Sequence, residues 1–177
     1  MKGVKNLSSV TLAMYASYAA ALLFLAHFSM SLLPPERLLP NLIAVCAHLV
    51  TFLVIAGFRG PQWTRAAGYG WLVISLYADN MALNGVAPQI FLPFRQGGYI
   101  SAAVWIAVSS WQAGGMTRIA GLFLVFDLVL YSLIPHAPLW VLSPTFALLP
   151  LWFLMVGFLL AKERKQHVLL RREEAAL

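Results

Sequence analysis

The chain has 177 residues, a net charge of +6 and a mean hydropathy of +0.80. Hydrophobic residues make up 61% of it and charged residues only 10%, whereas a soluble domain carries about 25% charged residues. This balance excludes a water-soluble globule, a nucleic-acid-binding domain and a disordered tail, and it predicts an integral membrane protein. The single cysteine, Cys46, excludes a disulfide bond within the chain.

Six apolar segments predict an all-α bundle of six transmembrane helices, because a helix that crosses the hydrocarbon core needs about 20 mostly apolar residues. The first segment is longer than the roughly 7–15 apolar residues of a signal peptide, so we expect it to be retained. Prolines and glycines predict the breaks between helices, and the longest loop is expected at 85–97. Residues 1–161 then form one transmembrane domain, and 162–177 form a basic cytoplasmic tail that continues the last helix. The expected spans are residues 10–31, 41–58, 66–83, 98–111, 117–134 and 139–161.

The distribution of basic residues predicts the orientation, since Lys and Arg accumulate on the cytoplasmic side of a membrane. With the N-terminus inside, all of the 12 basic residues except Arg37 and Arg95 fall on the inner side. Six spans return the chain to the side where it began, so both termini are expected in the cytoplasm. We therefore expect a multi-pass cell-membrane protein, most simply in a bacterial plasma membrane, with the lipid bilayer as a partner and no nucleic acid.

Polar side chains inside the spans predict a ligand-binding site. An intramembrane carboxylate costs about 2.5–3.5 kcal/mol and usually faces the bundle interior or a water-filled cavity. A helical rise of about 1.5 Å per residue places these groups between the midplane and the outer leaflet. One outward-leaning site for a small molecule or lipophilic ligand is therefore expected, formed by Asp79, Asn80, Asp127, His48 and His27.

Asp127 is expected to matter more for activity than for folding. No other charged residue occurs between Arg118 and Lys162, so its own helix offers it no ion-pair partner. The alternative for the polar residues is structural, with Asp79 and His48 pairing only to fix the register of their helices.

Three functions remain open from the sequence. The leading hypothesis is the binding or transport of a small molecule at the polar site. The second is an intramembrane enzyme in which Asp79 and Asp127 act as general acid and base on an isoprenoid-like substrate. The third is a non-catalytic subunit of a membrane complex, because small residues such as Ala13 and Ser17 allow close contact with another helix.

The sequence identifies no cofactor and predicts no metal site. Haem bound by His27 and His48 is disfavoured, because the expected depths of the two side chains differ by about 10 Å.

Overall fold

The computed structural model describes residues 7–31, 38–58, 60–134 and 138–174, and this part of the chain is all-helical. A short 3-10 turn, Leu139–Leu142, leads into the last helix. The six α-helices are α1 (Leu7–Ser31), α2 (Leu38–Gly57), α3 (Gln62–Leu83), α4 (Pro88–Ala113), α5 (Gly115–Leu133) and α6 (Ser143–Glu174).

Four of these helices are long and apolar enough to cross a membrane. Ser8–Met30, Leu38–Gly57 and Gly115–Leu133 are the apolar stretches of α1, α2 and α5, and Trp140–Leu169 runs from the 3-10 turn into α6. The composition of α3 and α4 is less apolar, because these two helices hold the polar residues Asp79, Asn80, Arg95 and Gln96. The prediction of a multi-pass membrane protein is thus supported by four helices.

The helices form a closed antiparallel ring. Each helix packs against its neighbours in the chain, and α6 closes the ring against α1. The antiparallel direction is visible where Gly57, at the end of α2, meets Ala13, near the start of α1. One end of the bundle, here called the terminal end, holds the start of α1, the α2–α3 and α4–α5 connections and the C-terminal half of α6. The opposite end holds the starts of α2, α4 and α6.

Small residues allow the helices to approach closely. A Cβ atom added to Gly57 would lie 2.1 Å from the Cβ of Ala13, and one added to Gly121 would lie 1.8 Å from Oγ of Ser110. Ala13 and Ser17 are both fully buried. The small-residue face of α1 therefore contacts helices of this same chain.

The start of α4 differs from the prediction. The helix begins at Pro88, ten residues before the expected boundary, so most of the loop expected at 85–97 is helical. Proline is well placed in a first helical turn, because the N–H group that it lacks has no partner there. Pro93 removes one further donor without ending the helix. Arg95, which was expected in an outer loop, therefore belongs to α4.

The last helix extends beyond the expected sixth span into the basic segment. It continues without a break through Pro150 and through the basic segment from Lys162 to Glu174.

Aromatic side chains fill the middle of the bundle. Trp71 stacks on Trp105, and Trp105 meets Trp152 edge to face, with ring centroids 5.9 and 5.2 Å apart. Nε1 of Trp152 donates to Oγ of Ser110 at 2.8 Å. The polar residues considered next lie beside this aromatic core.

Candidate ligand-binding site

Asp79 is the centre of a buried cluster of three ionisable side chains. Its side chain is only 1% exposed, and its Oδ1 accepts a hydrogen bond from Nη2 of Arg95 at 2.5 Å. Its Oδ2 lies 2.8 Å from Nδ1 of His48. Because an ionised carboxylate can only accept, Nδ1 of His48 carries the proton in this pair. The cluster links α2, α3 and α4, and its two polar contacts offset the cost of burying the carboxylate.

The hairpin of α3 and α4 explains why Asp79 and Arg95 meet. Asp79 lies four residues before the end of α3 and Arg95 seven residues after the start of α4, about 6 and 10 Å from the turn at the helical rise. Antiparallel packing of the two helices then brings the side chains to similar depths.

Sequence reasoning missed Arg95 because Pro88 and Pro93 were interpreted as loop residues. The available signal was the buried carboxylate of Asp79, which requires a partner at its own depth on a neighbouring helix.

A cavity lies beside this cluster, near the opposite end of the bundle. The part of this cavity that is open to water-sized molecules has a volume of about 50 Å³. That part has room for a few water molecules or a small chemical group. All six helices contribute to its wall. The polar lining residues are His27, His48, Trp71, Ser75, Asp79, Arg95, Tyr99 and Thr145.

Three polar atoms of the lining residues are buried without a hydrogen-bond partner in the described part of the chain. They are Nε1 of Trp71, Oγ of Ser75 and Nε of Arg95. Trp71 is 2% exposed and Ser75 is 1% exposed. Buried polar groups are normally paired, since an unpaired one costs about 1–3 kcal/mol. Three such atoms belong to residues that line this one cavity.

Aromatic rings form much of the remaining wall. Phe28 stacks between Phe24 and Phe146, with ring centroids 6.0 and 4.7 Å away. Phe24 also packs edge to face on the imidazole of His48 at 5.5 Å. These contacts hold His48 in one orientation, beside the carboxylate and at the wall of the cavity.

His27 reaches the same cavity from α1. Its Nδ1 lies 3.0 Å from the carbonyl oxygen of Pro40 and donates to it, because a carbonyl can only accept. His27, His48 and Asp79, three of the five side chains predicted for the site, thus line one cavity.

Asp127 and Asn80 lie outside this lining. Asp127 is buried and accepts hydrogen bonds from the backbone N–H of Thr145, at 3.0 Å, and from its hydroxyl. Thr145 is in the first turn of α6, where free N–H groups and the helix dipole favour a carboxylate. Asn80 is exposed, and its Oδ1 accepts from Nδ2 of Asn84 at 3.2 Å. The geometry therefore gives Asp127 a role in anchoring α6 and separates Asn80 from the cavity.

Comparison with protein-family models, curated proteins and solved structures finds no match. Within the described ranges, no group of three or more His, Cys, Asp or Glu side chains is arranged to hold a metal ion. The chemistry of the cavity is therefore the basis for a functional proposal.

Proposed function

We propose that this chain is a six-span membrane protein that binds a small molecule in the cavity beside Asp79, Arg95 and His48. The observation that carries the proposal is the set of unpaired buried polar atoms on Trp71, Ser75 and Arg95, three residues that line this one cavity. A cluster needed only for helix register would satisfy its polar groups internally. Partners supplied by a bound molecule account for both the cavity and the unpaired atoms.

The lengths and packing of α3 and α4 support six spans. These helices have 22 and 26 residues, or about 33 and 39 Å at the helical rise, against a hydrocarbon core of about 30 Å. Both helices take full part in the antiparallel ring. Charged residues within a membrane normally face the bundle interior and pair there, as Asp79 and Arg95 do.

The charges of the described helices support a cytoplasmic terminal end. Arg65 and Arg118 lie near the starts of α3 and α5, and Lys162, Arg164 and Lys165 lie in the C-terminal half of α6. All five are at the terminal end, the pattern expected of a cytoplasmic face. The cavity then lies toward the outer leaflet, in a plasma membrane that we take to be bacterial.

Binding has more support than the other functions considered. Asp127 is bonded to Thr145 and lies outside the cavity lining, so a mechanism that pairs it with Asp79 on one substrate has no geometric support. The buried Ala13 and Ser17 contact helices of this chain, which weakens the case for a subunit interface there. Transport would also require a second conformation that opens the cavity toward the terminal end, because the aromatic core fills the middle of the bundle.

The test is to identify the small molecules that co-purify with the protein. The wild-type chain would be compared with the double variant Asp79→Asn/Arg95→Gln, which removes both charges and so leaves neither one buried alone. Asn80→Ala is the matched control, because Asn80 is adjacent to Asp79 on α3 but exposed. Mass spectrometry should find a molecule that the wild type and Asn80→Ala retain and the folded double variant loses. Identical molecules in all three samples would refute the proposal.

A further inference from the structure

We propose that the ligand of this cavity presents an uncharged hydrogen-bond acceptor, a carbonyl oxygen, on an apolar body. This inference rests on the proposed function and names the chemical class of the ligand. It is derived from three properties of the lining: the type of unpaired polar atom, the balance of charge and the apolar surface around them.

The unpaired atoms call for an acceptor. Nε1 of Trp71 and Nε of Arg95 can only donate hydrogen bonds, and the hydroxyl of Ser75 can donate one. All three are buried without a partner in the described residues. Arg95 engages Asp79 through Nη2, so the ion pair leaves the Nε donor unused. An oxygen atom with two lone pairs can accept from two such donors at once.

The charge balance favours a neutral acceptor. Arg95 and Asp79, the two lining residues with permanent charge, are paired with each other. A carboxylate ligand would add an unbalanced negative charge beside Asp79, within a helix bundle where burying a charge is costly. A carbonyl group offers the same acceptor without that cost.

The rest of the wall favours an apolar body on the ligand. Aliphatic and aromatic side chains surround the polar group, among them Ile106, Leu128, Leu149, Phe28 and Phe146. The cavity volume of about 50 Å³ fits the carbonyl group and its neighbouring atoms, so the apolar body would extend toward the open mouth of the cavity. Ligand sites of this kind are mostly apolar, with a few polar groups that fix the orientation of the ligand.

Three matched probes test the class of ligand: acetophenone, benzoate and ethylbenzene. They share one aromatic ring and carry a neutral carbonyl, a carboxylate and no polar group, respectively. Binding would be measured by equilibrium dialysis against lipid nanodiscs with and without the full chain, so that partition into lipid is subtracted. Trp71→Phe and Ser75→Ala each remove one unpaired donor and break no hydrogen bond within the described structure. Ser17→Ala is the control, since Ser17 is as buried as Ser75 but is not among the residues that line the cavity.

Acetophenone should bind about tenfold more tightly than ethylbenzene, the effect of pairing a donor that is otherwise unpaired, and more tightly than benzoate. Trp71→Phe and Ser75→Ala should each weaken the binding of acetophenone several-fold and leave that of ethylbenzene unchanged, while Ser17→Ala should change neither. Stronger binding of benzoate would overturn the neutral class, and equal binding of ethylbenzene would overturn the role of the donors. If none of the three probes bound to the protein, this ligand class would also be rejected. The proposed function is judged separately, by whether a co-purifying molecule depends on Asp79 and Arg95.

Discussion

The guanidinium of Arg95 and the carboxylate of Asp79 face each other across α3 and α4, with Nη2 and Oδ1 2.5 Å apart. Asp79 is almost completely buried, whereas the side chain of Arg95 is 22% exposed. Substituting one residue of such a pair leaves the charge of the other residue without its partner, whereas substituting both residues leaves no unpaired charge.

This asymmetry predicts the stability of the charge variants. Arg95→Gln should lower the free energy of unfolding by about 3–5 kcal/mol, because it leaves Asp79 buried without its cation. The double variant Asp79→Asn/Arg95→Gln should be clearly more stable than Arg95→Gln alone. Reversible unfolding in mixed detergent micelles, carried out as a double-mutant cycle, measures the coupling. A double variant whose loss of stability equals the sum of the two single losses would show that the pair contributes no such coupling.

A second prediction concerns the contact between α4 and α5. Gly121→Ala should destabilise the fold by about 1–3 kcal/mol through overpacking, since its Cβ would lie 1.8 Å from Oγ of Ser110 and 2.9 Å from Nε1 of Trp152. Gly97→Ala is the control: it is also helical, and a Cβ there meets nothing within 4 Å. That variant should gain about 0.5–1 kcal/mol from helix propensity. The midpoints of thermal unfolding of the two variants measure this difference in stability. Equal midpoints would contradict the close contact at Gly121.

A third prediction separates folding from binding at Asp127. Asp127→Ala removes the acceptor for the N–H and the hydroxyl of Thr145, and loss of such a cap costs about 0.5–2 kcal/mol. Asp127→Asn retains an acceptor oxygen and should be close to the wild type. Both variants, once folded, should retain the co-purifying molecule. If Asp127→Asn lost that molecule at unchanged stability, the functional role expected from the sequence would be correct.

The proposed topology gives a fourth prediction. Reporter domains fused after Leu177 and inserted between Gly85 and Ala87 should lie on opposite sides of the membrane, with the C-terminal fusion in the cytoplasm. The short α3–α4 connection is at the opposite end of the bundle from the C-terminal half of α6, so six spans place the two fusions in different compartments. Reporters on the same side would contradict the six-span arrangement.

The sequence by itself determined the helical membrane class of this protein. Long apolar stretches in a chain with 10% charged residues leave a helix bundle as the physical solution, because backbone polar groups must be paired within each segment in lipid. The same argument identified Asp79 and His48 as unusual, because placing an ionisable side chain within the membrane has a high free-energy cost whichever way the side chain points. Helix boundaries were less certain around Pro88 and Pro93, because a proline near the start of a helix resembles one in a loop.

Only the tertiary structure decided which polar groups share a site. Depth along each helix can be estimated from the sequence, but the direction of a side chain around the ring depends on how the helices pack. That packing brings Arg95 to Asp79, assigns Asp127 to the start of α6 and leaves Asn80 exposed. Asp79 and Asn80 are adjacent in the chain, yet about 100° of helical rotation separates the cavity wall from the outer surface.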